Sequence, residues 1–254
     1  MAQHVQKPVA APTSLVWRDW RNHLRQIALH PVVVVAAATI VVSAIAIAHP
    51  TIDQATARMF YDGAGRFPAR DVPALRVLHV MGYWATYLVV AALLAILVAR
   101  LSRSRFADAV SWRVWWFLTL GLALGPGLIV NGLLKPLTNR PRPVQTDLFG
   151  GHHPFVAAWS FGESGFDNRS FASGEAAAAM YLVAFAFVVA APWRRYVASL
   201  AVLWAFAVSL NRIAFGAHYL SDVLVAWGIT LIVVLQLRSL LSPDATDRTS
   251  AHGT

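Results

Sequence analysis

The chain has 254 residues, 57% hydrophobic and only 13% charged, which is too apolar for an ordinary water-soluble domain. It carries a formal charge of +9 and no cysteine, which excludes disulfides, thiolate catalysis and cysteine metal sites. Its apolar residues gather into uncharged runs, and a helix needs about 20 of them to cross a bilayer.

In chain order, residues 1–30 read as a basic cytoplasmic segment. Within it Trp17 to Leu29 mixes Trp, Leu and Arg, as either a surface-lying amphipathic helix or a plain basic anchor. Pro31 to Ala48 is the first span. It follows too long a head, and is itself too long, for a signal peptide, although Ala46 and Ala48 mimic a cleavage site. An outer loop from Pro50 to Arg76 leads to spans at Val77 to Ala99 and Val114 to Leu134. A longer outer loop, Lys135 to Ser173, precedes spans at Ala176 to Trp193, Tyr196 to Asn211 and His218 to Leu237. Residues 242–254 read as a mobile cytoplasmic tail. Lipid cannot satisfy free backbone groups and no ten-residue alternating strands occur, so the spans are helices. The expectation is one all-α domain over residues 31–241, a six-transmembrane-helix bundle with both termini cytoplasmic.

Orientation follows the distribution of Lys and Arg. With the N-terminus inside, the inner segments hold twelve of these cations against four aspartates, whereas the outer side holds nine against eight acids. The high isoelectric point is therefore positive-inside bias, and no basic face with interleaved aromatics points to nucleic acid. Trp115, Trp116, Trp193 and Tyr196 sit where interfacial aromatics belong, and Gly121 with Gly125 offers a small-residue helix contact.

Chemistry-bearing residues cluster at the outer ends of the last four spans. The run KPLTNRPRP holds Lys135, Arg140 and Arg142. Alone it reads first as a solvated collar, but cations on the outer side run against the charge bias, and a phosphate ligand would explain them. Ser173 and Gly174 open an apolar run as N-cap and first helical residue, a plain helix start or an anion site, with Glu175 in the first turn. In NRIAFGAHYLSDVL, Arg212 ends one helix and Gly216 interrupts. His218 opens the next, with Asp222 four residues on and on the same face. Ionisable groups at an apolar boundary are costly and point to function more than to structure.

These pieces resemble the type 2 phosphatidic acid phosphatase superfamily, which also contains the vanadium haloperoxidases. Its pattern is K-x6-R-P, then P-S-G-H, then S-R-x5-H-x3-D. Here the first is complete as Lys135, Arg142 and Pro143, and the second keeps only Ser173 and Gly174, with Glu175 in place of the histidine. The third keeps Arg212, His218 and Asp222 behind Asn211. The resemblance covers residues 75–237 and implies a membrane lipid phosphatase needing no cofactor or metal. In it Lys135, Arg142, Arg212, Ser173 and Gly174 cradle the phosphate, His218 is the nucleophile and Asp222 orients it. Glu175 becomes the candidate general acid, with His152 and His153 as stand-ins. The implied substrate is an envelope lipid carrying a phosphomonoester or diphosphate: undecaprenyl diphosphate, phosphatidylglycerol phosphate, phosphatidic acid or a lipid A phosphate. A site facing the outside of a bacterial inner membrane would act on it. The loop from Leu148 to Phe166, rich in Trp, Phe and Gly, favours a bulky one. A vanadate haloperoxidase, a lipid-phosphate binder or transporter and a phosphotransferase are the competing readings.

Overall fold

The structure, a computed structural model, describes residues 30–103, 110–161 and 169–243. The expected amphipathic N-terminal stretch, part of the long outer loop and nearly all of the C-terminal tail lie outside them. Among the described residues the secondary structure is helical, with isolated bridges and no strand.

Among the described residues five helices are long and apolar enough to cross a membrane: α1 (Pro31–Ala48), α3 (Pro73–Leu101), α4 (Trp112–Leu137), α6 (Ala191–Ala214) and α7 (Leu220–Leu241). A short amphipathic helix, α2 (Thr51–Arg58), follows α1. The expected fourth span appears as α5 (Gly174–Phe187), which is shorter than its neighbours. It is α-helical only to Tyr181 and continues from Leu182 to Phe187 as a 3-10 helix. The tighter winding rises about 2 Å per residue, so these 14 residues reach roughly 24 Å, short of the ~30 Å hydrocarbon thickness.

The bundle is built around α7. Its core combines Val130 of α4, Ala176 and Ala177 of α5, Ile213 of α6, and Val223, Val225 and Ala226 of α7. A second cluster nearer the opposite end joins Leu93, Trp115, Phe117, Tyr181 and Val234. The helix α1 lies along α7, where Gly228 lacks the Cβ that would strike Thr39. The sides of α1 and α3 away from these contacts remain bare: Ile40, Val41, Leu88, Leu94 and Val98 are all exposed. Such continuous apolar surface is untenable in water and at rest in lipid.

Several sequence expectations change in detail. Gly121 and Gly125 pack within the chain, against Tyr181 and Thr230. Trp115 is buried within the protein, donating its Nε1–H to the Leu93 carbonyl at 2.9 Å, whereas Trp116, Trp193 and Tyr196 are exposed. Within α4, residues Ala123–Leu134 are wound as a π-helix around Pro126. Proline lacks an N–H and crowds the preceding turn, and a wider turn accommodates both defects.

Candidate active site

At one end of the bundle α3, α4, α5 and the turn between α6 and α7 converge on one cavity of about 590 Å³. Its polar end is formed by Lys135, Arg142, Gly174, Glu175 and His218. From there it runs between α3, α4 and α5 past Val90, Leu94 and Leu122 to Trp115. On α4 the wall residues from Lys135 back to Trp115 cover most of the helix length, roughly 25–30 Å. The result is an apolar groove with a charged head.

His218 lies in the turn between α6 and α7. Gly216 makes this turn at φ +58°, and its missing Cβ leaves room for the Phe67 ring, which a methyl would approach to 2.5 Å. The helix α7 begins at Leu220, two residues later than the sequence suggests, so His218 and Asp222 do not share a helical face. They still face each other across the turn, with His218 Nδ1 3.7 Å from Asp222 Oδ2. The hydrogen bond at Nδ1 goes instead to the Ser170 carbonyl, 2.8 Å away. A carbonyl only accepts, so Nδ1 carries the proton and Nε2 keeps its lone pair. Burial pushes the imidazole down to about 4, against the opposing pull of Asp222, so His218 is neutral at physiological pH.

Asp222 is held from behind by Arg140, which is completely buried. The Arg140 guanidinium donates through Nη1 to Asp222 Oδ1 at 2.5 Å and through Nη2 to Asp53 Oδ2, on α2, at 2.6 Å. It also reaches Ser221 Oγ at 2.8 Å and the Val156 carbonyl at 2.9 Å, and lies 4.1 Å over the Tyr219 ring. Asp53 in turn accepts from the Ser221 amide at 2.9 Å. Arg140 is thus a strut and not a member of the charged head, although only Pro141 separates it from Arg142.

The cations of the head are arranged differently. Arg142 and Arg212 each keep a buried Nε without a hydrogen-bond partner among the described residues. Burial and the neighbouring Arg212 charge hold Arg142 below its ordinary value. Arg70, from the loop before α3, adds a further positive charge felt by Arg142 and Arg212, and it is anchored by its Nε bond to the Phe215 carbonyl at 2.7 Å. Lys135 Nζ reaches Asn131 Oδ1 at 3.4 Å, and the Asn131 side chain sits against Gly174, where a Cβ would collide with it. Ser173 is the N-cap of α5, fully buried, accepting from the Ala176 amide at 3.3 Å. This is a ready anion site: four cations, a helix N-terminus and a neutral imidazole nitrogen around one end of a groove.

Glu175 faces the same cavity and is gripped from two sides. Arg212 Nη2 lies 3.2 Å from its Oε1, and His79 Nδ1, on α3, lies 3.2 Å from its Oε2. His152 and His153, the suggested stand-ins, are not among the lining residues. His79, Arg70, Asn131, Asp53 and Ser170 were not singled out by sequence. Only His79 carried a legible signal, an ionisable residue inside an otherwise uncharged run.

Comparisons with known proteins bear on the family and the fold. The PAP2 superfamily model matches residues 114–242. A lipid A 4'-phosphatase of Rhizobium leguminosarum is 33% identical over 216 residues, covering 80% of this chain and 93% of that protein. A lipid A 4'-phosphatase of Rhizobium etli is 40% identical over 129 residues, 51% of this chain and 50% of that protein. In fold, the chain resembles the crystal structure of a PAP2-type phosphatidylglycerolphosphate phosphatase from Bacillus subtilis, with a TM-score of 0.53 at 17% identity over 84% of this chain and 96% of that one. The chain is a multi-pass membrane protein and belongs to the PAP2 superfamily, among its membrane lipid phosphatases.

Proposed function

We propose that the protein removes a phosphate ester from an envelope lipid at the outer face of the inner membrane, through a phosphohistidine at His218. The observation that carries this reading is the cavity itself: a cluster of cations around the Nε2 of a neutral histidine, continuous with an apolar groove long enough for a lipid chain. Among the four lipid classes suggested by sequence, the relatives named lipid A 4'-phosphatase favour a lipid A phosphate.

In the proposed mechanism Lys135, Arg142 and Arg212 neutralise the equatorial oxygens, and the Gly174 N–H at the N-terminus of α5 adds a backbone donor, the Ser173 amide being already bonded to the Asp222 carbonyl at 3.1 Å. His218 Nε2 attacks phosphorus in line. As the imidazole becomes cationic, its Nδ1–H keeps donating to the Ser170 carbonyl, and the Asp222 carboxylate, itself fixed by Arg140, stabilises the charge from 3.7 Å. Glu175 supplies the proton that the leaving alkoxide requires, and water then displaces phosphate from the histidine. The cations supply charge that Mg²⁺ supplies in other phosphoryl-transfer sites.

The test is phosphate release by detergent-purified protein from lipid A, phosphatidylglycerol phosphate, phosphatidic acid and undecaprenyl diphosphate, with EDTA present and His218→Ala as control. Release from lipid A by the wild type alone is the expected result. Equal release by His218→Ala overturns the mechanism. Transfer to a second lipid without free phosphate makes the protein a phosphotransferase.

A further inference from the structure

Glu175 stands where the superfamily pattern has a histidine, and the structure brings a histidine to it from another helix. His79 sits six residues past the start of α3, its side chain about one-third exposed and its ring edge-on to Phe215, with ring centroids 5.9 Å apart. Its Nδ1 lies 3.2 Å from Glu175 Oε2 and 3.1 Å from Arg212 Nη1. The two contacts make opposite demands. The guanidinium N–H requires a lone pair on Nδ1, whereas an ionised carboxylate requires an N–H there. Both contacts are attractive when a proton on Oε2 points at Nδ1, with Arg212 Nη2 still bonded to Oε1 at 3.2 Å.

We propose that His79 is the positioning partner of Glu175, and that the two hold between them the proton delivered to the leaving oxygen. The carboxyl alone faces the cavity; the imidazole acts through it, orienting the acid and refilling it. In the first half-reaction the His218–phosphorus bond forms as the ester P–O bond breaks, and the departing oxygen takes the proton from Glu175, so the alcohol leaves neutral. In the second, water adds to phosphorus, the P–N bond breaks, and the proton lost by water returns to the pair. The family's single histidine acid is thereby divided between a carboxyl on α5 and an imidazole on α3. This inference rests on the phosphatase reading.

The test uses leaving-group dependence, which a merely structural role would not move. An alkyl phosphate needs a proton as it departs; p-nitrophenyl phosphate does not. With full-length protein in detergent, His79→Gln is expected to lower kcat/KM on lipid A phosphate at least about tenfold, up to the roughly hundredfold or more of general-acid catalysis. It should change kcat/KM on p-nitrophenyl phosphate, which reports the first half-reaction and not the shared hydrolysis of the phosphohistidine, by less than about threefold. Glu175→Gln should show the same selectivity. In a Glu175→His background, which restores the family's acid, His79→Gln should cost little on either substrate. Parallel losses on both substrates, or the same cost of His79→Gln in both backgrounds, overturn the proposal. Failure of the underlying reading shows differently, as lipid A phosphate release that persists undiminished in His218→Ala, and it removes the proposal with it.

Discussion

Protonation decides what His218 can do. Burial lowers its value to about 4 from the ordinary 6.5, so the imidazole stays neutral and nucleophilic as pH falls until that lower value is reached. The acid limb of kcat/KM, where His218 governs it, is expected near pH 4; a limb near 6.5 would mean that Nε2 is less buried than the structure has it. Linkage gives the matching stability statement. Between about 4 and 6.5 the unfolded chain binds a proton that the folded chain refuses, so stability is lost as pH falls through that window. Thermal melts in detergent should show this loss in the wild type, and less of it in His218→Asn. At this scale the sequence was most informative where spacing is short. The nucleophile pair, the N-cap and the Lys135 to Arg142 run are all local patterns. Ser170, the partner of His218, and His79, the partner of Glu175, lie 48 and 96 positions from the residues they hold, and no local pattern reports such distances.

At the scale of elements, the turn between α6 and α7 fixes both Arg212 and His218. Gly216 combines φ +58° with an absent Cβ whose place is taken by the Phe67 ring. Gly216→Ala is expected to cost about 2 kcal/mol or more, from left-handed strain and the collision together, and to depress activity by moving residues on both sides of the turn. A variant with unchanged melting temperature and turnover would show that the turn is looser than described. Apolar runs made the helices legible, and Pro31–Ala48 has the boundaries that the sequence suggested. The irregular winding was not legible. Pro126 signals a defect in α4 without saying that a π-helix absorbs it, and nothing in Ala176 to Trp193 announces a change to 3-10 geometry at Leu182. Those choices come from packing against neighbouring helices.

At the scale of the whole molecule, the buried Arg140 ties the short helix α2 to α7 through Asp53, Ser221 and Asp222. Arg140→Leu leaves two buried carboxylates without their partner and is expected to cost about 3–5 kcal/mol, lost as folded protein in detergent. Arg142→Leu should leave the fold intact and remove activity. Equal stability of the two variants would contradict this division of labour between neighbouring arginines, which their shared sequence context hides. Because the chain has no cysteine, its orientation can be tested with single introduced thiols. An impermeant maleimide is expected to label Met59→Cys in intact cells and Leu101→Cys only after permeabilisation, both positions being well exposed. The reverse pattern would put the active site on the cytoplasmic side.

The most direct test of the central claim is to trap the covalent intermediate. Wild-type protein mixed with radiolabelled lipid A phosphate in EDTA and quenched in alkaline detergent should carry label on the peptide containing His218, and His218→Ala should carry none. Turnover with label on another residue, or full turnover without His218, would contradict the account.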